Sequence, residues 1–176
     1  MKRAYYLALG SNLGERLQYL QAAVQALAAR GVAVLRCSSV YETSPVGAAE
    51  PQPDYLNAVV ECEAACAPVE MLAIAQAIEQ EQQRSRGARN AARTLDIDIL
   101  LAGEYTSTDR ALTVPHARLH ERLFVLTPLR ELAPALVHPV LRRSISALYD
   151  ACRAASTECV RLCAPPFVLC PSGTTD

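Results

Sequence analysis

The chain has 176 residues, 51% of them hydrophobic and 20% charged, and a formal net charge of −1. That is enough apolar material for one globular domain with its own core, and too little net charge for a global field toward nucleic acid or anionic membrane. Of 17 basic residues only Lys2 is a lysine, which excludes a P-loop, a kinase-type phosphate lysine and Schiff-base chemistry, and leaves any phosphate handling to arginine.

Ala4–Leu9 is apolar and aromatic and predicts a buried strand, with Gly10-Ser11-Asn12 as its stop and a polar cap for the next element. Leu17, Leu20, Val24 and Leu27 recur at helical spacing up to Gly31. Val32 to Tyr41 predicts one second strand, and the proline-rich Thr43–Asp54 a long loop fit to be a lid or binding loop. Tyr55–Glu63 predicts a third strand. Pro68 opens a helix with Met71, Leu72, Ala75 and Ile78 on its apolar face, fading near Arg86. Gly87–Ala92 is a small basic loop, and Leu95–Leu101 a fourth strand ended by Gly103. Arg118 and Arg122 have the spacing of a shared helix face. Helices follow at Leu123–Leu132, despite Pro128, and at Ser144–Ala155.

This order gives an α+β fold, a ferredoxin-like split βαβ core with helices packed on a mainly antiparallel sheet. It forms a single domain over residues 1–163 with a loose C-terminal tail over 164–176. No apolar run reaches the ~18 residues of a membrane span, and the stretch after Lys2 and Arg3 is too short for a signal-peptide core. Seven cysteines, an odd number in a chain rich in apolar residues, fit reduced thiols and a cytoplasmic protein.

The chemistry concentrates in Arg93-Thr94-Leu95-Asp96-Ile97-Asp98-Ile99-Leu100. On a strand Asp96 and Asp98 share a face, ~6.5–7 Å apart at the Cα atoms, while Leu95, Ile97 and Ile99 point to the core. Two carboxylates on one face repel and resist burial unless cations lie between them, and Mg²⁺ is the hard cation that takes one or two carboxylates plus substrate phosphates. Alone, the octet is equally compatible with a solvated acidic edge or with aspartates paired to arginines. Arg84, Arg86, Arg89 and Arg93 precede it without an intervening acid, and the guanidinium fork matches phosphate oxygens. Together they have the pattern of a metal–nucleotide site. His116, after Pro115, lies in a turn within a basic stretch, able to donate to phosphate.

These pieces, in order with Ala8-Leu9-Gly10-Ser11-Asn12-Leu13-Gly14, Ser39–Thr43, Pro53–Ala58 and Leu112–His116, resemble the bacterial 6-hydroxymethyl-7,8-dihydropterin pyrophosphokinases of folate biosynthesis. The resemblance implies transfer of the β,γ-pyrophosphoryl group of ATP to the hydroxymethyl of the dihydropterin, with release of AMP. It implies two Mg²⁺ ions on Asp96 and Asp98, and catalytic roles for Arg84 and Arg93 beside them. It further implies ATP contacts at Gln76, Glu79, Arg86, Ile99, Thr113, His116 and Arg122. Pterin contacts fall at Thr43, Val46, Tyr55, Asn57 and Phe124, with Tyr55 and Phe124 as the rings that sandwich it. ATP and the dihydropterin are then the partners, with no nucleic acid or membrane and a monomeric chain. Asn90 and Ala117 depart from better-known members, the first from a tryptophan and the second from an aromatic. A non-catalytic pterin- or nucleotide-binding member of the same fold is the alternative.

Overall fold

The computed structural model describes residues 2–45, 51–82 and 92–167. The centre of the sheet is β1 (Arg3–Ser11), paired antiparallel on one side with β4 (Tyr55–Ala64) and on the other with β5 (Asp96–Ala102). Beyond β4 lie β2 (Ala33–Cys37) and β3 (Val40–Thr43), both antiparallel to it, and β8 (Val160–Ala164) pairs with β3 at the far edge. With β2 and β3 taken as one bent strand, the order is the split βαβ arrangement expected from the sequence. The short pair β6 (Ser107–Thr108) and β7 (Thr113–Val114) lies apart from the sheet and packs its second strand beside β5.

The sheet is covered on both faces. On one, α1 (Arg16–Ala29) and α2 (Pro68–Glu81) bring Leu20, Val24, Leu27, Met71, Ala75 and Ile78 against Leu7, Leu9, Val60, Ile97 and Ile99. On the other, α3 (Leu123–Leu132) and α4 (Ile145–Ala155) bring Leu123, Leu126, Leu129, Ile145 and Leu148 against Tyr6, Val59, Leu100 and Leu101. The alternation of β1 follows from this: Tyr5, Leu7 and Leu9 belong to the first cluster, Tyr6 and Ala8 to the second.

Four local differences from the sequence expectations have clear causes. The single strand expected over Val32–Tyr41 is broken at Ser38–Ser39. Ser38 is fully buried, its N–H donates to Val59 O (2.9 Å), and its hydroxyl accepts from Val59 N (2.9 Å) and donates to Ser39 O (2.8 Å). The side chain thereby replaces one ladder bond and lets the strand bend.

The first strand runs through Gly10 and Ser11 instead of stopping there. The turn comes at Gly14, whose φ of +61° suits glycine, and Glu15 starts α1 without a side-chain cap. Arg118 and Arg122 do not share a helix face, because a single 3-10 turn (Leu119–Glu121) stands between them. The tail expected from 164 begins inside β8, and Phe167 packs against the first core cluster. Pro128 is tolerated within α3, where it leaves only the Phe124 carbonyl without its helical donor.

Candidate active site

Antiparallel register brings the site together. Residues directly opposite each other point to the same face. Tyr41, Asn57, Gly10 and Asp96 form one such row across four strands, and Val59, Ala8 and Asp98 the next. Thr43 and Tyr55 are opposite each other one step further along β3 and β4, on the same face again. Asp96 and Asp98 therefore do share a face, as expected, and it is the face that carries Thr43, Tyr55 and Asn57. Phe124, from the first turn of α3, packs against the same core cluster as Ala8.

Gly10 decides the shape of the floor. A Cβ there would lie 3.4 Å from Asn57 Oδ1 and 3.9 Å from Asp96 Cβ. With glycine and alanine as the two floor residues of β1, the amide group on β4 and the carboxylates on β5 face one another over a shallow gap. Asn57 and Thr43 are both buried, and Asn57 Nδ2 donates to Thr43 Oγ1 at 2.7 Å. That bond orients the amide and leaves a carbonyl acceptor, a second amide hydrogen and the Thr43 hydroxyl hydrogen for a flat heterocycle with an amide edge.

The acidic side is electrostatically graded. Arg93 Nη1 donates to Asp96 Oδ2 at 2.8 Å. The Asp98 carboxyl is pushed up to about 7, first by burial and then by the Asp96 charge, against the pull of Arg122 and Arg93. Its side chain keeps 43% exposure, so one side of the carboxyl still meets solvent and is open to a cation. Among the described residues no group of three or more metal-ligating side chains occurs. Two hard oxygen ligands without a third suit Mg²⁺ that arrives with phosphate oxygens, and they do not suit a closed protein cage.

His116 lies across from Asp98, with Nε2 4.0 Å from Oδ2. Burial and the nearby Arg122 charge lower its imidazole to about 4, so the ring is neutral at pH 7. Its Nδ1 accepts from Arg118 N (3.2 Å), which assigns the ring proton to Nε2, on the side of the aspartates. Arg122, at the N-cap of α3, places its guanidinium carbon 5.5 Å from the Phe124 ring centroid.

The remaining sequence candidates divide. Glu79 is buried on α2 and its Oε1 accepts from Ile97 N at 2.8 Å, so it fastens the edge strand that carries the aspartates. Ile99 points its side chain into the first core cluster, and only its backbone is at the strand edge. Gln76 is exposed one turn before Glu79, and Thr113 is exposed on β7 with its hydroxyl donating to Asp109 O (2.9 Å). Val46, Arg84 and Arg86 lie outside the described residues, as do Arg89 and most of the Gly87–Ala92 loop.

Two residues that sequence reasoning missed hold the site in place. Asn12, 1% exposed, was expected as a helix cap. Its N–H donates to Arg93 O (3.1 Å), its Oδ1 accepts from Arg93 N (2.8 Å), and its Nδ2 reaches Gln52 Oε1 (3.1 Å) and Pro53 O (3.3 Å). It thus ties Arg93 to the end of the loop before Tyr55. Glu158 accepts from Leu123 N (3.0 Å) and Phe124 N (3.3 Å), which stabilises the start of α3. A buried asparagine directly after a strand is a weak signal for the first. No local pattern signals the second, because its partner is more than 30 residues away.

The family model for 7,8-dihydro-6-hydroxymethylpterin-pyrophosphokinase matches residues 6–134. The 2-amino-4-hydroxy-6-hydroxymethyldihydropteridine pyrophosphokinase of Bacillus subtilis (strain 168) is 46% identical over 133 residues, 75% of this chain and 79% of that protein. The enzyme of the same name from Haemophilus influenzae is 43% identical over 135 residues, 76% of this chain and 84% of its own. Folic acid synthesis protein fol1 of Schizosaccharomyces pombe is 38% identical over 146 residues, which cover 82% of this chain but 20% of that protein. The solved structure of wild-type Plasmodium falciparum HPPK-DHPS with SDX-DHP superposes at a TM-score of 0.68 and 15% identity, over 86% of this chain and 44% of that one, and so shares the fold. On the family match and the identity to two relatives of similar extent, the chain belongs to the 7,8-dihydro-6-hydroxymethylpterin-pyrophosphokinase family.

Proposed function

We propose that the chain transfers the β,γ-pyrophosphoryl group of ATP to the hydroxymethyl group of 6-hydroxymethyl-7,8-dihydropterin, in tetrahydrofolate biosynthesis. In this step the hydroxymethyl oxygen bonds to the β-phosphorus as the bond from that phosphorus to the α,β-bridging oxygen breaks. The hydroxyl proton is released and AMP leaves with the bridging oxygen. The observation that carries the reading is the single sheet face on which Thr43, Tyr55 and Asn57 stand beside Asp96 and Asp98, with Gly10 leaving the floor open between Asn57 and Asp96.

Each residue then has a task. Asn57 and Thr43 pair with the amide edge of the pterin, aided by Val46 from the loop, and Tyr55 and Phe124 stack on its faces. Arg93, fixed by Asp96 and Asn12, and Arg84 hold charge on the transferred group, where a rigid fork is more useful than a mobile ammonium. His116 donates from Nε2 to a phosphate oxygen as a neutral ring. Arg122 bridges the two halves, near both the Phe124 ring and the Asp98 charge. Gln76, Arg86, Ile99 and Thr113 contact the nucleotide, and Glu79 contributes by fastening β5. Asp96 and Asp98 hold two Mg²⁺ ions, which supply neutralisation of the polyphosphate when bound. Catalysis is then mainly positioning and charge stabilisation.

No helix among the described residues is long and apolar enough to cross a membrane. The chain works in the cytoplasm as a monomer in this reading, and the free thiols of the described cysteines support the compartment. The deciding experiment measures AMP release from ATP with and without the dihydropterin and Mg²⁺. Dependence on both is expected. Absence of AMP from folded protein supplied with both refutes the proposal.

A further inference from the structure

The family match ends at residue 134, yet two contacts from the segment after α4 reach the groups read above as the pterin site. Ser156 and Glu158 form a turn in which Glu158 N donates to Ser156 Oγ (3.0 Å), and the Glu158 carboxylate accepts from Leu123 N and Phe124 N. Directly after it, β8 pairs with β3, with Val160 opposite Thr43 and Arg161 opposite Glu42. Arg161 also meets the Glu42 carboxylate at 2.9 Å and Asp54 at 3.9 Å, at the two stems of the 43–54 loop. One short stretch therefore grips both the strand end that carries Thr43 and the helix start that carries Phe124.

We infer that Glu158 is a positioning residue for pterin binding, acting through the first turn of α3. The inference rests on the pterin-site reading of Phe124, Tyr55, Thr43 and Asn57. The physical reason is that the first amides of a helix have no intrahelical acceptor, and a carboxylate there both satisfies them and suits the positive end of the helix dipole. Pro128 gives α3 a further weakness, because it cannot donate to the Phe124 carbonyl. Phe124 thus lacks the usual helical bond at both its N–H and its C=O, and Glu158 supplies the only described anchor of its N–H. The exposed Arg161 pairs add little beside this, since solvent screens them. The β8–β3 backbone ladder is what holds Glu158 at the right distance from the sheet face.

The test compares Glu158→Ala, Glu158→Asp and Glu158→Gln with Phe124→Ala. It reads the Kd of 6-hydroxymethyl-7,8-dihydropterin by fluorescence in the presence of a non-hydrolysable ATP analogue with Mg²⁺, and the Kd of that analogue by calorimetry. Loss of the acceptor is expected to weaken pterin binding about fivefold, the equivalent of one helix cap, with the nucleotide Kd unchanged. Glu158→Asp, which keeps the charge but draws it back by one methylene and leaves the fold intact, is expected to weaken it in the same direction. Glu158→Gln, whose amide oxygen still accepts but without the charge, is expected to fall between wild type and Glu158→Ala. Wild-type pterin affinity in Glu158→Ala and Glu158→Asp, or equal loss for both ligands, overturns the inference if Phe124→Ala has lost pterin binding. Wild-type affinity in Phe124→Ala overturns the pterin-site reading and the inference with it.

Discussion

Replacement of Asp98 by asparagine tests the electrostatics of the site without reference to turnover. In the folded apoprotein the Asp98 carboxyl ionises near 7, against 3.8 ordinarily, because burial and the Asp96 charge oppose its ionisation. A raised carboxyl destabilises the fold only where the unfolded chain is ionised. Below about 3.8 both states are protonated and the penalty is absent. It grows as pH rises toward 7 and is complete above that. For a fully buried group the difference amounts to ~4 kcal/mol. The Asp98 side chain is 43% exposed, and solvent screening reduces the expectation to ~1–2 kcal/mol. Asparagine is nearly isosteric and does not titrate. Asp98→Asn should therefore raise the apoprotein Tm by about 3–6 °C at pH 8, by less at intermediate pH and by almost nothing near pH 3, below both ionisations, read by differential scanning fluorimetry across that range. Mg²⁺ with an ATP analogue should stabilise the wild type and leave the variant behind. A Tm gain that is equal at both pH values, or absent at pH 8, refutes the argument that these carboxylates are held in mutual strain for a cation.

Three further outcomes follow from single contacts. Arg93→Lys keeps the charge but loses the planar fork that reaches Asp96, so kcat should fall more than nucleotide affinity. An equal fall in both, by stopped-flow and calorimetry, contradicts its place beside the transferred group. Asn12→Ala strands Arg93 N and Pro53 O without their side-chain partner and should cost about 1–3 kcal/mol in urea unfolding, with a lower kcat because Arg93 and the loop end lose their shared tie. Ser38→Ala removes the acceptor of Val59 N between β2 and β3. It should destabilise by a similar ~1–3 kcal/mol with kinetic constants unchanged, since Ser38 lies on the strand edge away from the aspartates.

Sequence periodicity was a good guide wherever one face of an element is buried by a continuous neighbour. Leu20, Val24 and Leu27, or Met71, Ala75 and Ile78, make helical stripes because α1 and α2 lie flat on the sheet. Asp96 and Asp98 read correctly as same-face residues because a strand alternates whatever it pairs with. The readings that failed depended on partners distant in the chain. Ser38 breaks a strand through Val59, and β8 was not foreseen as a strand because its own side chains are mostly exposed and its order comes from pairing with β3.

The same division holds at the site. Residue types alone led to the expectation that any phosphate would be met by arginine and a hard cation by two carboxylates, since the chain has a single lysine, Lys2, and an aspartate pair on an apolar strand. They also carried the family resemblance that the matched relatives bear out. Which residues face those carboxylates was decided only by register. Gly10 lies between Asn57 and Asp96 because β1 pairs with both β4 and β5, and a one-residue slip of either pairing would turn the amide or the acids into the opposite core. The anchors were decided later still. Asn12 and Glu158 act through hydrogen bonds across 81 and 35 residues of chain, and no pattern within a strand or helix encodes a bond between segments that only the folded sheet brings together.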